Sequence, residues 1–308
     1  MRSNPFRRLA FLAAVAVVVV TGAACEPIRN PPPGGGEEVQ GSYRIGPFNL
    51  APAGQEGSDD QGFGRNLPRP AGSFGMKRIA FQVVYADGTP VPHSALHLHH
   101  IVMMNSARQS PYCSNWPERF AGTGSEMTPT ELPDPYAYLV GANDQWSATW
   151  HVMNESSEPQ EVYIEYDMTY EPGATAENTR GVTPFFLDVT GCGSSEYDIP
   201  AGGEGSVHTT SRTWNAPWDG FLVTAEGHVH GGGIDISLEH EPTGDTCTMV
   251  AKYEHSHPHG APGQITTCPA HNRFSQGDPF TVTARYDNHE AIDGAMGIVQ
   301  AYAWQGDQ

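Results

Sequence analysis

Basic residues are scarce in this chain. Its 308 residues include 16 Lys and Arg against 35 Asp and Glu, a formal net charge of −19. Such an excess of negative charge argues against nucleic acid or an anionic lipid surface as partner. Beyond the amino terminus no stretch is apolar enough to span a membrane. No long apolar stripe of 3.6-residue period runs through the remainder, which disfavours helical architectures. The glycine loop that cradles nucleotide phosphates, the G-x-S-x-G elbow and the H-E-x-x-H zinc motif are all missing, so three common routes to catalysis have no foothold. Cysteine is limited to five residues, whereas glycine (35) and proline (26) are plentiful. Aromatic and β-branched residues recur in short runs between these turn formers, a composition that predicts an all-β protein.

The amino terminus combines basic residues (Arg2, Arg7, Arg8), an apolar run from Leu9 to Val20 and small residues leading to Cys25. This is the layout of an export signal. Thr21-Gly22-Ala23-Ala24-Cys25 resembles a bacterial lipobox, with Gly22 where leucine is usual, so residues 1–25 are expected to be a signal peptide that leaves Cys25 lipidated. The only membrane contact would then be the lipid anchor, on the outer face of a membrane of the bacterial cell envelope; without lipidation the exported protein would be secreted. Residues 26–42 are dense in Pro, Gly and Glu and read as a flexible tether. Four cysteines remain, an even number suited to an oxidising compartment. Three pairings are possible among Cys113, Cys192, Cys247 and Cys268; Cys247 with Cys268 is the first choice because they flank one segment.

Strand-like runs fill the rest. Phe81, Val83 and Tyr85 alternate with their neighbours, as do Val162, Ile164 and Tyr166, the pattern of half-buried antiparallel strands. A polar break at Glu171 to Gly181 suggests a boundary between two tandem antiparallel β-sandwiches, jelly-roll-like, over 43–172 and 173–308. A monomer is expected.

The most informative segment is Phe221 to Gly233, FLVTAEGHVHGGG. In a strand, alternate side chains share a face, so His228 and His230 can present two imidazoles to one metal ion. An incidental histidine pair at a strand end is the competing reading. Leu96-His97-Leu98-His99-His100 supplies three more histidines. His99 and His100 point to opposite faces of a regular strand, so they can share a metal only where the strand is bulged or ends. His151 lies within an apolar strand, where a core role is the plainer reading unless a metal needs a further nitrogen. Met296 precedes the final apolar run; a core role is again the plainer one. As a thioether ligand beside two imidazoles it would favour redox-cycling copper over zinc. His255-Ser256-His257-Pro258-His259, with His240 and His271, reads either as a solvated loop or as a metal-scavenging cluster.

The order of these motifs, from about Gly46 to Trp304, resembles the copper type II ascorbate-dependent monooxygenases, the family of peptidylglycine alpha-hydroxylating and dopamine beta-monooxygenases. The resemblance implies two copper ions, one per sandwich: an electron-supplying ion at His99, His100 and His151, and an oxygen-activating ion at His228, His230 and Met296. Ascorbate or another one-electron reductant and a small-molecule or peptide-like substrate would complete the reaction. A closer likeness is to the stress-up-regulated nodulin-nineteen family, carried by Leu98-His99-His100, Pro133-Asp134-Pro135-Tyr136, the GHVHGGG run, and the stretch from Cys268-Pro269 through Gly277-Asp278 to Met296-Gly297. Three substrate-contacting positions depart from the monooxygenase pattern. Glu226 stands where an arginine would hold a substrate carboxylate, and Ile298 and Gln300 stand where Asn and Tyr would be. A carboxylate placed beside Glu226 would meet repulsion instead of a charge-assisted hydrogen bond, so glycine-extended peptides are not the expected substrates. Two other functions fit the same residues: a non-catalytic copper-buffering lipoprotein, and an adhesion or ligand-binding sandwich whose histidines are incidental.

Overall fold

The structure, a computed structural model, describes residues 36–253, 260–269 and 272–306. The signal segment with Cys25, the start of the tether, His255, His257, His259 and His271 lie outside the described residues. Among the described residues the fold is all-β, with no α-helix and mainly antiparallel sheets.

One layer of the first sandwich pairs β1 (Val39–Leu50), β9 (Gln160–Pro172), β3 (Phe74–Val84) and β7 (Tyr136–Val140). The layer facing it pairs β2 (Asp59–Arg65), β8 (Trp146–Asn154), β4 (Leu96–Gln109) and β5 (Pro117–Gly124). Ile79, Phe81 and Val83 from β3, Leu98 and Ile101 from β4, and Ile164 and Tyr166 from β9 meet in the core between them. In β3 and β9 these are the alternate positions whose apolar character is visible in the sequence.

The second sandwich begins with β10 (Arg180–Asp188), which pairs in parallel with β7, so one sheet runs on from the first half into the second. There β10, β20 (Gly297–Trp304), β13 (Gly220–Val229) and β17 (Arg273–Phe274) follow in order. Opposite them lie β12 (Val207–Asn215), β18 (Pro279–Asp287), β14 (Gly233–His240), β15 (Asp245–Lys252) and β16 (Gln264–Ile265).

Strand β20 is buried along nearly its whole length because both its faces are covered. Val299, Ala301 and Ala303 point into the second core, whereas Tyr302 belongs to the first. The same division runs through β13, where Leu222, Ala225 and Val229 face the second core. By period 2, Glu226 and His228 then face the seam between the sandwiches, beside Gln300 and Ile298, their partners on β20. A strand buried on both faces reads as a near-continuous apolar run, which is why the polar residues in these two strands stand out.

Both disulfides are present: Cys113 with Cys192, and Cys247 with Cys268. The first ties the loop after β4 to the turn after β10 and thus links the sandwiches; the second staples β15 to the segment beside β13. Their sequence separations are 79 and 21 residues. Loop-closure entropy assigns about 4.5 and about 3 kcal/mol to such bridges. Replacing Cys113 and Cys192 together by serine should therefore lower the unfolding free energy in urea more than replacing Cys247 and Cys268. An equal or reversed order would contradict the loop-closure account of the two bridges.

Candidate metal centre

The pairing of β4 with β8 slips by one residue between Leu98, which faces Val152, and His100, which faces His151. His99 is the extra residue of this β-bulge. The bulge turns two neighbouring imidazoles to the same side, with His99 Nδ1 3.1 Å from His100 Nδ1. His97, two residues earlier, stays beside His99 with ring centroids 5.6 Å apart. His151 stands 4.9 Å from the His99 ring and 6.0 Å from the His100 ring, its Nε2 3.3 Å from Asp59 Oδ2.

From the other sandwich, His228 on β13 and His230 just beyond it share a face, their centroids 5.0 Å apart. Close approach of the two layers depends on Gly124 at the end of β5. A Cβ there would sit 2.6 Å from His228 Cε1 and 2.7 Å from the His99 carbonyl oxygen. At Gly232 the chain turns with φ of +83°, a conformation that favours glycine.

The family resemblance implies two copper sites for these histidines, one per sandwich. The structure instead brings both sets to the seam. His99 lies 4.2 Å from His230 by ring centroids, closer than it lies to His151 or His100. One ligand nitrogen from each of His99, His100 and His230 falls within 4.8 Å of the others. The convergence has a simple cause: β4 and β13 both present their histidines to the interface between sandwiches, and the bulge adds one more.

Hydrogen bonds fix which nitrogen each β13 imidazole offers. His228 Nδ1–H donates to Glu126 Oε1 at 2.8 Å and His230 Nδ1–H to the Gly294 carbonyl at 2.6 Å. Each ring is left with a buried, unpartnered Nε2. An inner nitrogen without a partner and an outer N–H held by carboxylate or carbonyl is the arrangement of metal-ligating histidine. Burial lowers the pKa of His99 to about 2 and of His100 to about 3, with the neighbouring imidazoles adding to the shift, and drives that of His230 well below its usual value. These rings are neutral at physiological pH, the form in which imidazole binds metal.

Tyr286 supports the centre from the second core. Its fully buried hydroxyl accepts from the backbone N–H of His230 at 2.9 Å and of Met296 at 3.2 Å, and donates to the Met296 carbonyl. Met296 sits in the break between β19 (Ile292–Ala295) and β20, packed with Phe186 and Ile298. It lines an apolar cavity of about 340 Å³ that also touches His100, His228, Glu226, Ile298 and Gln300. Glu226 is buried; its Oε1 accepts from Thr130 at 2.5 Å and from Gln300 Nε2 at 2.9 Å, and burial pushes its pKa up to about 8. His97, His99, His151, His228 and His230 line a second hollow, of about 700 Å³.

Glu126, Ser125 and Tyr286 do not stand out in the sequence. Glu126 lies 102 residues from His228, and Ser125, 2.5 Å from His97 Nε2, lies 28 residues from its partner. No local signature announces contacts of that span. His240 is structural: its ring nitrogens meet Thr243 and Asp278, and it stacks on Phe280.

No known family model and no curated protein sequence matches the chain. Among solved structures, one described as recombinant N-glycanase F (PNGase F) is 8% identical, covering 86% of this chain and 94% of that one, with a TM-score of 0.39. A structure of PNGF-II is 9% identical over 87% of this chain and 66% of that one, with a TM-score of 0.35.

Tyr286→Phe removes one hydroxyl and leaves two buried N–H groups and a carbonyl without it. The expected cost is about 1–3 kcal/mol, accompanied by weaker metal binding because His230 is no longer held. Denaturation and metal titration of the same variant check both effects. Wild-type values in both would remove Tyr286 from the support of the centre.

Proposed function

We propose that the chain is a copper-binding redox protein of the oxygen-dependent monooxygenase type, exported and lipid-anchored through Cys25 in the cell envelope. The observation that carries the reading is the pair of buried, unpartnered Nε2 atoms on His228 and His230, beside the His99, His100 and His230 nitrogens within 4.8 Å of one another. Buried polar atoms normally find partners, and neutral nitrogens brought together this closely suit an imidazole-binding metal. Imidazole alone serves zinc, copper, iron and nickel. Copper is favoured by Met296, a soft donor that lines the same cavity as His100 and His228. The two disulfides agree with an oxidising compartment.

Copper there would supply one-electron redox chemistry and the capacity to activate oxygen, drawing electrons from ascorbate or a similar reductant. The protein's part is geometric. The bulge at His99 and the hydrogen bonds of Glu126 and Gly294 orient the ligands before any ion arrives. Tyr286 holds the His230 and Met296 segments together. The surface of the cavity beside His100 and His228 is mainly apolar, with Val102, Phe186 and Ile298 contributing to it, and would exclude water around a C–H bond to be oxidised. That adjacent cavity favours a catalyst over a copper buffer.

The full chain, loaded with copper and desalted, should retain the metal and take up oxygen when ascorbate is added. His99→Ala and His230→Ala should each weaken copper binding at least tenfold, since both contribute to one centre. Copper retention unchanged in the double variant would overturn the site. Retention without reductant-dependent oxygen uptake would replace the monooxygenase by a copper-holding protein.

A further inference from the structure

The apolar cavity at the seam carries polar atoms that the ligand set does not use. Arg119 on β5 lines it, with its guanidinium carbon 3.9 Å from the Phe186 ring centroid and 5.9 Å from that of Trp116. Its Nε is buried and has no hydrogen-bond partner. Its Nη2 makes only a long contact, 4.0 Å to Cys113 Sγ of the disulfide, among the described residues. Among the described residues no carboxylate lies within ion-pairing distance of Arg119. Asp188 is the acidic neighbour whose field it feels; its Oδ1 accepts from the backbone N–H and hydroxyl of Thr190, and its buried Oδ2 has no hydrogen-bond partner and lies beyond ion-pairing distance of the guanidinium. Burial lowers the Arg119 pKa to about 10, so the group remains a cation at neutral pH.

Two further orphans share this cavity: the Thr123 hydroxyl and Gln300 Oε1, both buried and unpartnered. A mostly apolar pocket with a few convergent polar groups is the usual form of a small-molecule site, and about 340 Å³ is near the lower end of their range. The Arg119 guanidinium lies against the Phe186 ring, and the planar fork of such a group matches a carboxylate with two parallel hydrogen bonds.

We propose that this cavity binds a small organic anion, a carboxylate on an apolar body, with the carboxylate on Arg119 and the body against Val102, Met104, Phe186 and Ile298. The inference deepens the proposed function by naming the substrate class, and rests on that reading only for what happens to the ligand once bound. Two carboxylates, Glu196 and Glu226, line the same cavity, and Glu226 is already bonded to Thr130 and Gln300. The body then extends along the cavity towards His100 and His228.

The test is calorimetric titration of the full chain with 3-phenylpropionate and with its neutral amide, before and after chelation of metal. Wild type should bind the acid at least tenfold more tightly than the amide, with and without metal. Arg119→Met, which keeps the aliphatic stem, should erase the preference while leaving the melting temperature and copper retention near wild type; Arg119→Lys should retain part of it. Equal affinity for acid and amide, no binding of either, or a preference that survives Arg119→Met would overturn the proposal. A preference that disappears with the metal would also overturn it, because the carboxylate would then be a metal ligand. Failure of copper binding would leave these titrations unaffected, so the two readings fail separately.

Discussion

The candidate centre depends on one local irregularity, the β-bulge at His99. Side chains in a strand alternate, so consecutive histidines in β4 would otherwise face opposite layers, one towards the core and one towards the seam. The slip between Leu98 and His100 turns both rings to the seam, where the histidines of β13 meet them. Once gathered there the imidazoles constrain one another. Protonating any of them would bury a charge beside several rings, and burial, reinforced by those neighbours, depresses the pKa values of His99, His100 and His230. The outcome is a set of neutral nitrogens with few protein partners, which a metal ion would satisfy.

A second layer of contacts keeps the set in place. Glu126 receives the Nδ1–H of His228 and the backbone N–H of Gly124 on the same oxygen, so one carboxylate joins the end of β5 to β13. The absence of a side chain at Gly124 lets the two strands approach. On the opposite side the hydroxyl of Tyr286 gathers the His230 and Met296 backbones. Farther out, the Cys113–Cys192 bridge holds the turn after β10 next to Arg119, which joins the linkage between sandwiches to the wall of the apolar cavity.

Much of the fold was legible because it is a matter of period. Alternation in β3 and β9 and the density of turn residues point to antiparallel sandwiches, and the flanking positions of Cys247 and Cys268 point to their bridge. The placement of the candidate histidines was partly legible too: His228 and His230 share a face by simple spacing, and the demand for a bulge at His99 follows from the adjacency of two histidines. What stayed out of reach was the distance between sandwiches. Nothing local in LHLHH or GHVHGGG tells that β4 and β13 meet across one seam, and the parallel pair of β7 with β10 that carries one sheet into the next has only two residue pairs. Glu126, Tyr286 and Arg119 were missed for the same reason, since each acts through a partner distant in sequence or through a cavity formed by both halves.

The central claim is that histidines from both sandwiches serve one metal centre at their interface. The most direct measurement is an anomalous difference map at the copper edge from crystals of the copper-loaded chain. The account predicts the principal peak among His99, His100 and His230, in contact with ligands of both sandwiches. Peaks confined to two well-separated positions, each held by histidines of one sandwich alone, or no peak at the seam, would contradict it.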